Sequence, residues 1–213
     1  NICQKDGFND LYCKSIFPVN VVNENIRKVL FSIGAFRNIQ GFKIDYKDIM
    51  SGLNFLISQG FVDTTKMVVG GWSFGGYMTN WIIGHCNRFK AAVCVAGVSN
   101  TVSNYGQGDI NHSDVAKWEF EGIPVLNMEN YHRASPINFL KNCTTPTLFL
   151  HGQKDDRVHV AQAWEAYRAL DNIKVETKLV LYPDAEHGIR APKQFNDVIT
   201  RWINWYKAHL EIN

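Results

Sequence analysis

The sequence predicts an α/β fold, a mostly parallel sheet with helices on both faces, and three observations predict it. Short runs too apolar to face water occupy residues 66–72, 91–96 and 147–151, and a fourth strand-like run covers 174–182. Segments of helical period fill the intervals, at 45–59, 74–84, 160–170 and 195–209. Turn residues punctuate the joins. Strands separated by helices of this length pair in parallel, and a sheet whose strands are apolar on both sides needs cover on both faces.

Each element has its own reason. In DYKDIMSGLNFLISQ, Ile49, Leu53, Leu56 and Ile57 recur at helical spacing, with Asp45 at the start and Gly60 just past the end. KMVVGGW forms the first buried strand, followed by a helix over 74–84. Residues 91–96 form the second strand, and TLFLH, entered through Pro146, forms the third. The helix over 160–170 carries Ala163, Trp164, Tyr167 and Leu170 on one side. KVETKLVLY is the fourth strand, and the last helix carries Val198, Trp202, Trp205 and Tyr206. Between 97 and 133 the rhythm breaks into Asn, Gly, Ser and aromatic residues, which reads as a loop at a strand's carboxyl end, where open α/β sheets hold ligands. Residues 1–38 form a poorly matched N-terminal segment; 19–22 and 28–33 are its candidate strands. The main domain is expected over 39–213.

Composition removes some functions. A net charge of +2 with no Lys/Arg run argues against nucleic acid or an anionic membrane as partner. No 18-residue apolar stretch encodes a membrane span. Cysteines at 3, 13, 86, 94 and 143 are odd in number and match no zinc spacing, so they read as mostly free thiols, which favours the cytoplasm over secretion. The triplets Asn111-His112-Ser113 and Asn142-Cys143-Thr144 matter only in a secreted protein. Self-association into a homo-oligomer stays open.

The chemistry concentrates in three segments. Val68 to Gly76 reads VVGGWSFGG, a strand running into G-x-S-x-G and then a helix. A serine on such a turn projects its oxygen above the sheet edge, Gly71 and Gly75 remove the side chains that would collide, and the Phe74 backbone N–H becomes an oxyanion donor. Serine needs a base to take its proton, and the base needs an acceptor to hold one tautomer. Of the histidines at 85, 112, 132, 151, 159, 187 and 209, only His187 lies in a loop after a late strand, with Gly188 freeing the backbone to turn the ring inward. His151 reads as a strand-end residue packed under a loop. The acid comes from the loop after the third strand, where Asp155 and Asp156 compete. Spacing favours Asp155, leaving the other to pair with Arg157 or to cap the helix starting near His159. Ser73, Asp155 and His187 in this order are those of an α/β-hydrolase fold.

The blocks GGWSFGGYMTNWIIGHCNRFKAAV, HGQKDDRVHVAQAWEAYRAL and LYPDAEHGI, with DYKDIMSGLNFLISQGFVD upstream, resemble the prolyl oligopeptidase family of serine peptidases, in its dipeptidyl-peptidase and acylaminoacyl-peptidase branches. The resemblance spans roughly 39–213 and implies a peptidase acting on peptide substrates, without metal or organic cofactor. It assigns the first Asp of the pair, Asp155, to the catalytic set. It places Arg157 on a substrate carbonyl and lines the P1 pocket with Phe74, Val98 and Tyr105, with Val158 alongside. It also implies a preceding β-propeller domain and earlier strands, one ending in a His-Gly-Gly-Pro-like turn near the second oxyanion donor. Residues 1–38 contain no such turn, so the N-terminal strands are expected to be truncated. Two other readings follow: an esterase or lipase with the same machinery, and a non-catalytic truncated hydrolase whose oxyanion hole is incomplete.

Overall fold

A computed structural model describes residues 41–109 and 120–211. The candidate strands within 1–38, Cys3, Cys13 and the Asn111 triplet lie outside the described residues. Helix α1 (Gly41–Ser58) leads to β1 (Val68–Trp72), α2 (Phe74–His85) and β2 (Ala91–Val95). Helices α3 (Thr101–Gln107) and α4 (Pro124–Ala134) follow, then two short 3₁₀ turns, β3 (Thr147–Gly152), α5 (Ala161–Asn172), β4 (Thr177–Tyr182) and α6 (Pro192–His209). The four strands pair in parallel in the order β1-β2-β3-β4.

Successive side chains of a strand point to opposite faces, and the two cores follow that alternation. Val68, Ala91, Val93, Val95, Leu148 and Leu150 pack on one face against Val198, Trp205 and Tyr206 of α6. Met67, Val69, Ala92, Cys94 and Phe149 pack on the other, against Leu53 of α1, Ile82 and Ile83 of α2, and Ala166 and Leu170 of α5. Every residue of β2 and β3 is buried, which is why these strands read as unbroken apolar runs rather than alternating ones.

The expected elements form, with several differences. β4 begins at Thr177 rather than 174, because Lys174 takes a positive φ of 66° and completes a turn after α5. α6 starts earlier, at Pro192, a residue suited to the first helical position because it has no N–H to satisfy. Residues 97–133 are not loop throughout. Asn100 caps α3 by accepting the N–H groups of Val102 and Ser103, and α4 forms behind Pro124 with a kink at Asn127. On α5 the buried side is Gln162, Ala163, Ala166 and Leu170. Trp164 faces outward, with the Arg168 guanidinium 5.0 Å above its ring. Cys86, Cys94 and Cys143 are free thiols; burial pushes Cys94 up to about 12 and Cys143 to about 11. Asn142 of the second triplet is exposed. No helix among the described residues is long and apolar enough to cross a membrane.

Candidate active site

A parallel sheet delivers all its carboxyl ends to one edge, and the chemistry-bearing segments leave from there. Ser73 follows β1, Val98 follows β2, Asp155 follows β3 and His187 follows β4. The turn at Ser73 is strained, with φ 59° and ψ −117°, a conformation costing a non-glycine residue about 1–3 kcal/mol. It is held by the Ser73 N–H donating to Val95 O at 2.9 Å and by Tyr77 N–H donating to Ser73 O at 2.9 Å. A Cβ on Gly71 would collide with the backbone of Gly75, so only glycine lets the turn close. A serine at the start of a helix usually caps it through its oxygen; Ser73 makes no such bond, leaving its hydroxyl for another partner.

That partner is His187, whose Nε2 lies 2.7 Å from Ser73 Oγ, while its Nδ1 lies 2.8 Å from Asp155 Oδ2. A carboxylate can only accept, so Nδ1 carries the proton and Nε2 is left to accept from the hydroxyl. The base loop is tied to its neighbours by backbone. Gln153 N–H donates to Tyr182 O and Lys154 N–H to Ala185 O, both at 2.9 Å. The indole of Trp72 donates to His187 O at 2.9 Å, joining the base loop to the serine strand. At Gly152 a Cβ would strike Ala185 O, so the acid-bearing and base-bearing loops need glycine there to touch. Gly188 does not supply the inward turn expected of it. The positive φ falls one residue later, on buried Ile189 at 37°.

Asp155 is 1% exposed, and a charge buried that deeply must be compensated. Its Oδ1 accepts the N–H groups of Arg157 at 3.0 Å and Val158 at 2.8 Å. Its Oδ2 takes His187 and lies 3.3 Å from His151 Nε2. Burial works against ionisation, but hydrogen bonding from His151, His187 and the Val158 amide outweighs it and holds the carboxyl well below the usual range. Asp156 is exposed, so the backbone settles which aspartate faces the ring. His151 is more than a packed strand-end residue. Its Nε2 faces Val158 O at 2.7 Å as well as Asp155, both acceptors, so that nitrogen bears the proton.

The remaining expected residues divide. Phe74 and Val98 share an apolar cluster with Tyr77, Met78 and Trp81. Tyr105 sits apart, edge-on to Tyr131 at 5.8 Å between ring centroids. Val158 is buried. The Arg157 guanidinium does not pair with Asp156: Nε and Nη2 donate to the two carboxylate oxygens of Asp109 at 2.8 and 3.2 Å. Phe74, first residue of α2, has an N–H that no carbonyl within the helix reaches. His85 and His209 spend Nδ1 on carbonyls of their own helices. Among the described residues no His, Cys, Asp and Glu side chains gather as a metal-holding group.

A parallel sheet with a strained serine between strand and helix, its hydroxyl joined through one imidazole to one buried carboxylate, has the architecture of an α/β-hydrolase. The profile of the prolyl oligopeptidase family matches residues 41–213, and the chain belongs to that family. It is 36% identical to the uncharacterized peptidase YuxL of Bacillus subtilis (strain 168), covering 84% of this chain and 27% of the relative. It is 31% identical to acylamino-acid-releasing enzyme 1 of Oryza sativa subsp. japonica, covering 78% and 23%. Among solved structures, the orthorhombic form of Pyrococcus horikoshii acylaminoacyl peptidase superimposes with TM-score 0.77 at 27% identity, over 83% of this chain and 29% of that one. The chain thus spans about a quarter of the length of these curated relatives.

Proposed function

We propose that this chain is the catalytic part of a serine peptidase cleaving peptide or acyl-aminoacyl amide bonds of short peptides. The observation that carries the proposal is the hydrogen-bonded chain from Ser73 through His187 to Asp155. In this reading Ser73 Oγ attacks the substrate carbonyl carbon as His187 Nε2 takes its proton. Asp155 holds the imidazole in the required tautomer and steadies the imidazolium that forms. The carbonyl oxygen becomes an oxyanion facing the Phe74 N–H, and preorganised donors of that kind stabilise charge as it develops. His187 then protonates the leaving amine, and water, activated by the same ring, releases the acyl group from Ser73. Phe74 and Val98 offer an apolar wall to the side chain on the acyl side. Arg157, with Asp109 taking part of its hydrogen-bonding capacity, keeps further N–H donors for a substrate carbonyl. The names of its relatives, acylamino-acid-releasing enzyme among them, support amide substrates over simple esters.

The test is labelling with a fluorophosphonate, followed by turnover of an aminoacyl amide and a p-nitrophenyl ester. The expected result is modification of Ser73, none in Ser73→Ala, and turnover of the amide. Absence of labelling on Ser73 would overturn the proposal. Labelling with ester turnover alone would make the chain an esterase.

A further inference from the structure

Gln162 is a polar residue on the buried face of α5, with no measurable exposure. Burying an amide costs free energy unless its groups are satisfied, and this one is satisfied by a single segment. Oε1 accepts the N–H of Ser99 at 3.0 Å and of Asn100 at 2.8 Å, and Nε2 donates to Ser103 Oγ at 2.8 Å. The backbone carbonyl of Gln162 accepts Ser99 Oγ at 2.7 Å. One helical turn on, Glu165 accepts from Asn100 Nδ2 at 2.8 Å and from Ser103 Oγ at 2.7 Å. Ser99 itself is fully buried.

All these bonds fall on residues 99–103, the segment that follows Val98. Val98 is held from its other side too, by Asn80 Nδ2 of α2 donating to its carbonyl at 3.1 Å. Its side chain packs against the same Tyr77, Met78 and Trp81 cluster as that of Phe74, the residue next to Ser73. Both residues are only half buried, which leaves part of each side chain free to contact a substrate group. α5 opens six residues after Asp155, and α2 opens one residue after Ser73. The wall is therefore pinned to the acid's helix by Gln162 and to the serine's helix by Asn80.

We propose that Gln162 is a positioning residue for substrate selection: its buried amide fixes the distance between the Val98 wall and Ser73, and so sets the size of acyl side chain accepted. This rests on the reading of Ser73 as nucleophile. Small acyl groups do not reach the wall and are indifferent to its position, whereas large apolar ones depend on it. A misplaced wall of this kind costs about 10- to 100-fold.

The experiment uses the full-length protein and two probes that need only the nucleophile, p-nitrophenyl acetate and p-nitrophenyl 3-phenylpropanoate. In Gln162→Met, which keeps the length and removes the amide, kcat/KM for phenylpropanoate is expected to fall about 30-fold through KM, while acetate turnover and fluorophosphonate labelling of Ser73 stay within about 3-fold. Ser103→Ala keeps the Gln162 amide but removes its Nε2 partner together with the hydroxyl's bond to Glu165, and is expected to shift the same ratio by about 3-fold, which keeps the test decisive if Gln162→Met fails to fold. Equal loss on both esters, or an unchanged ratio in the folded variants, would overturn the proposal. An unlabelled Ser73 in the parent protein would instead remove the functional reading beneath it.

Discussion

The two ends of the sheet make an instructive pair. At the amino ends of the strands lies an open groove of about 800 Å³ lined by Thr64, Thr65, Arg88, Lys90, Thr144 and Pro146. It is roomy and cationic, but its polar groups serve their own neighbourhood: Arg88 donates to Asn54 at 2.8 Å, and Thr65 donates both its N–H and its hydroxyl to Asp63 Oδ1. At the carboxyl ends, three side chains from three different loops converge on two hydrogen bonds, and the backbone carries left-handed residues at Ser73 and Ile189. On the function proposed above, the hollow end is not the reactive one. Convergence and strain mark the other end, because holding Ser73 at φ 59° and burying Asp155 both cost free energy that only the surrounding contacts offset.

The contrast breaks most easily at the serine. Ser73→Ala is expected to lower kcat by about a million-fold, measured on any amide the parent protein turns over; activity within tenfold of the parent would move the chemistry elsewhere. Asp155→Asn comes next, at about 10,000-fold, because one oxygen facing the ring becomes a donor and the imidazole loses its enforced tautomer. The same carboxyl carries a pH signature. Its native state is held below the ordinary value of 3.8, so the stability it confers is fully present above that value and drains away as pH falls below it. Urea unfolding of the parent and Asp155→Asn is expected to show a gap that narrows from about pH 5 to about pH 3; a widening gap would reverse the sign.

Gly71→Ala sharpens the comparison through packing alone. A methyl pressed against the Gly75 backbone is expected to cost about 1–3 kcal/mol in denaturant unfolding, with loss of Ser73 labelling as the turn opens. At the opposite end, Arg88→Ala and Lys90→Ala are expected to change stability by no more than about 0.5 kcal/mol and to leave kcat/KM within about 2-fold. A large effect there would give the groove a role that its hydrogen bonds do not suggest.

What was legible in the sequence follows from range. Strands β2 and β3 declared themselves because both faces are covered, and Gly71 and Gly75 around Ser73 announced the turn. Asp155 against Asp156 was ambiguous from spacing, since two adjacent carboxylates look alike until the turn gives one of them the N–H groups of residues 157 and 158. Arg157 and Asp109 stand 48 residues apart, with nothing in either neighbourhood to pair them. Residues 97–133 hid two helices because α3 has only seven residues and α4 is kinked at Asn127, so neither shows a sustained period. His151 and Gln162 left fainter traces. A histidine ending a buried strand needs an acceptor, and a glutamine within the apolar pattern of Ala163, Ala166 and Leu170 is a polar residue on an inward face. Each was a sign that something nearby required a hydrogen bond.

The crowding around Asp155 reaches beyond orientation. With two amide hydrogens on one oxygen and two ring nitrogens near the other, the carboxylate is poorly disposed to receive a hydron of its own. In the proposed mechanism only the one leaving the serine hydroxyl is then in flight at the transition state. Rates measured in graded mixtures of light and heavy water would fall along a straight line, the mark of a single isotopically sensitive transfer, whereas a bowed line would mean that the ring hands its other hydron onward.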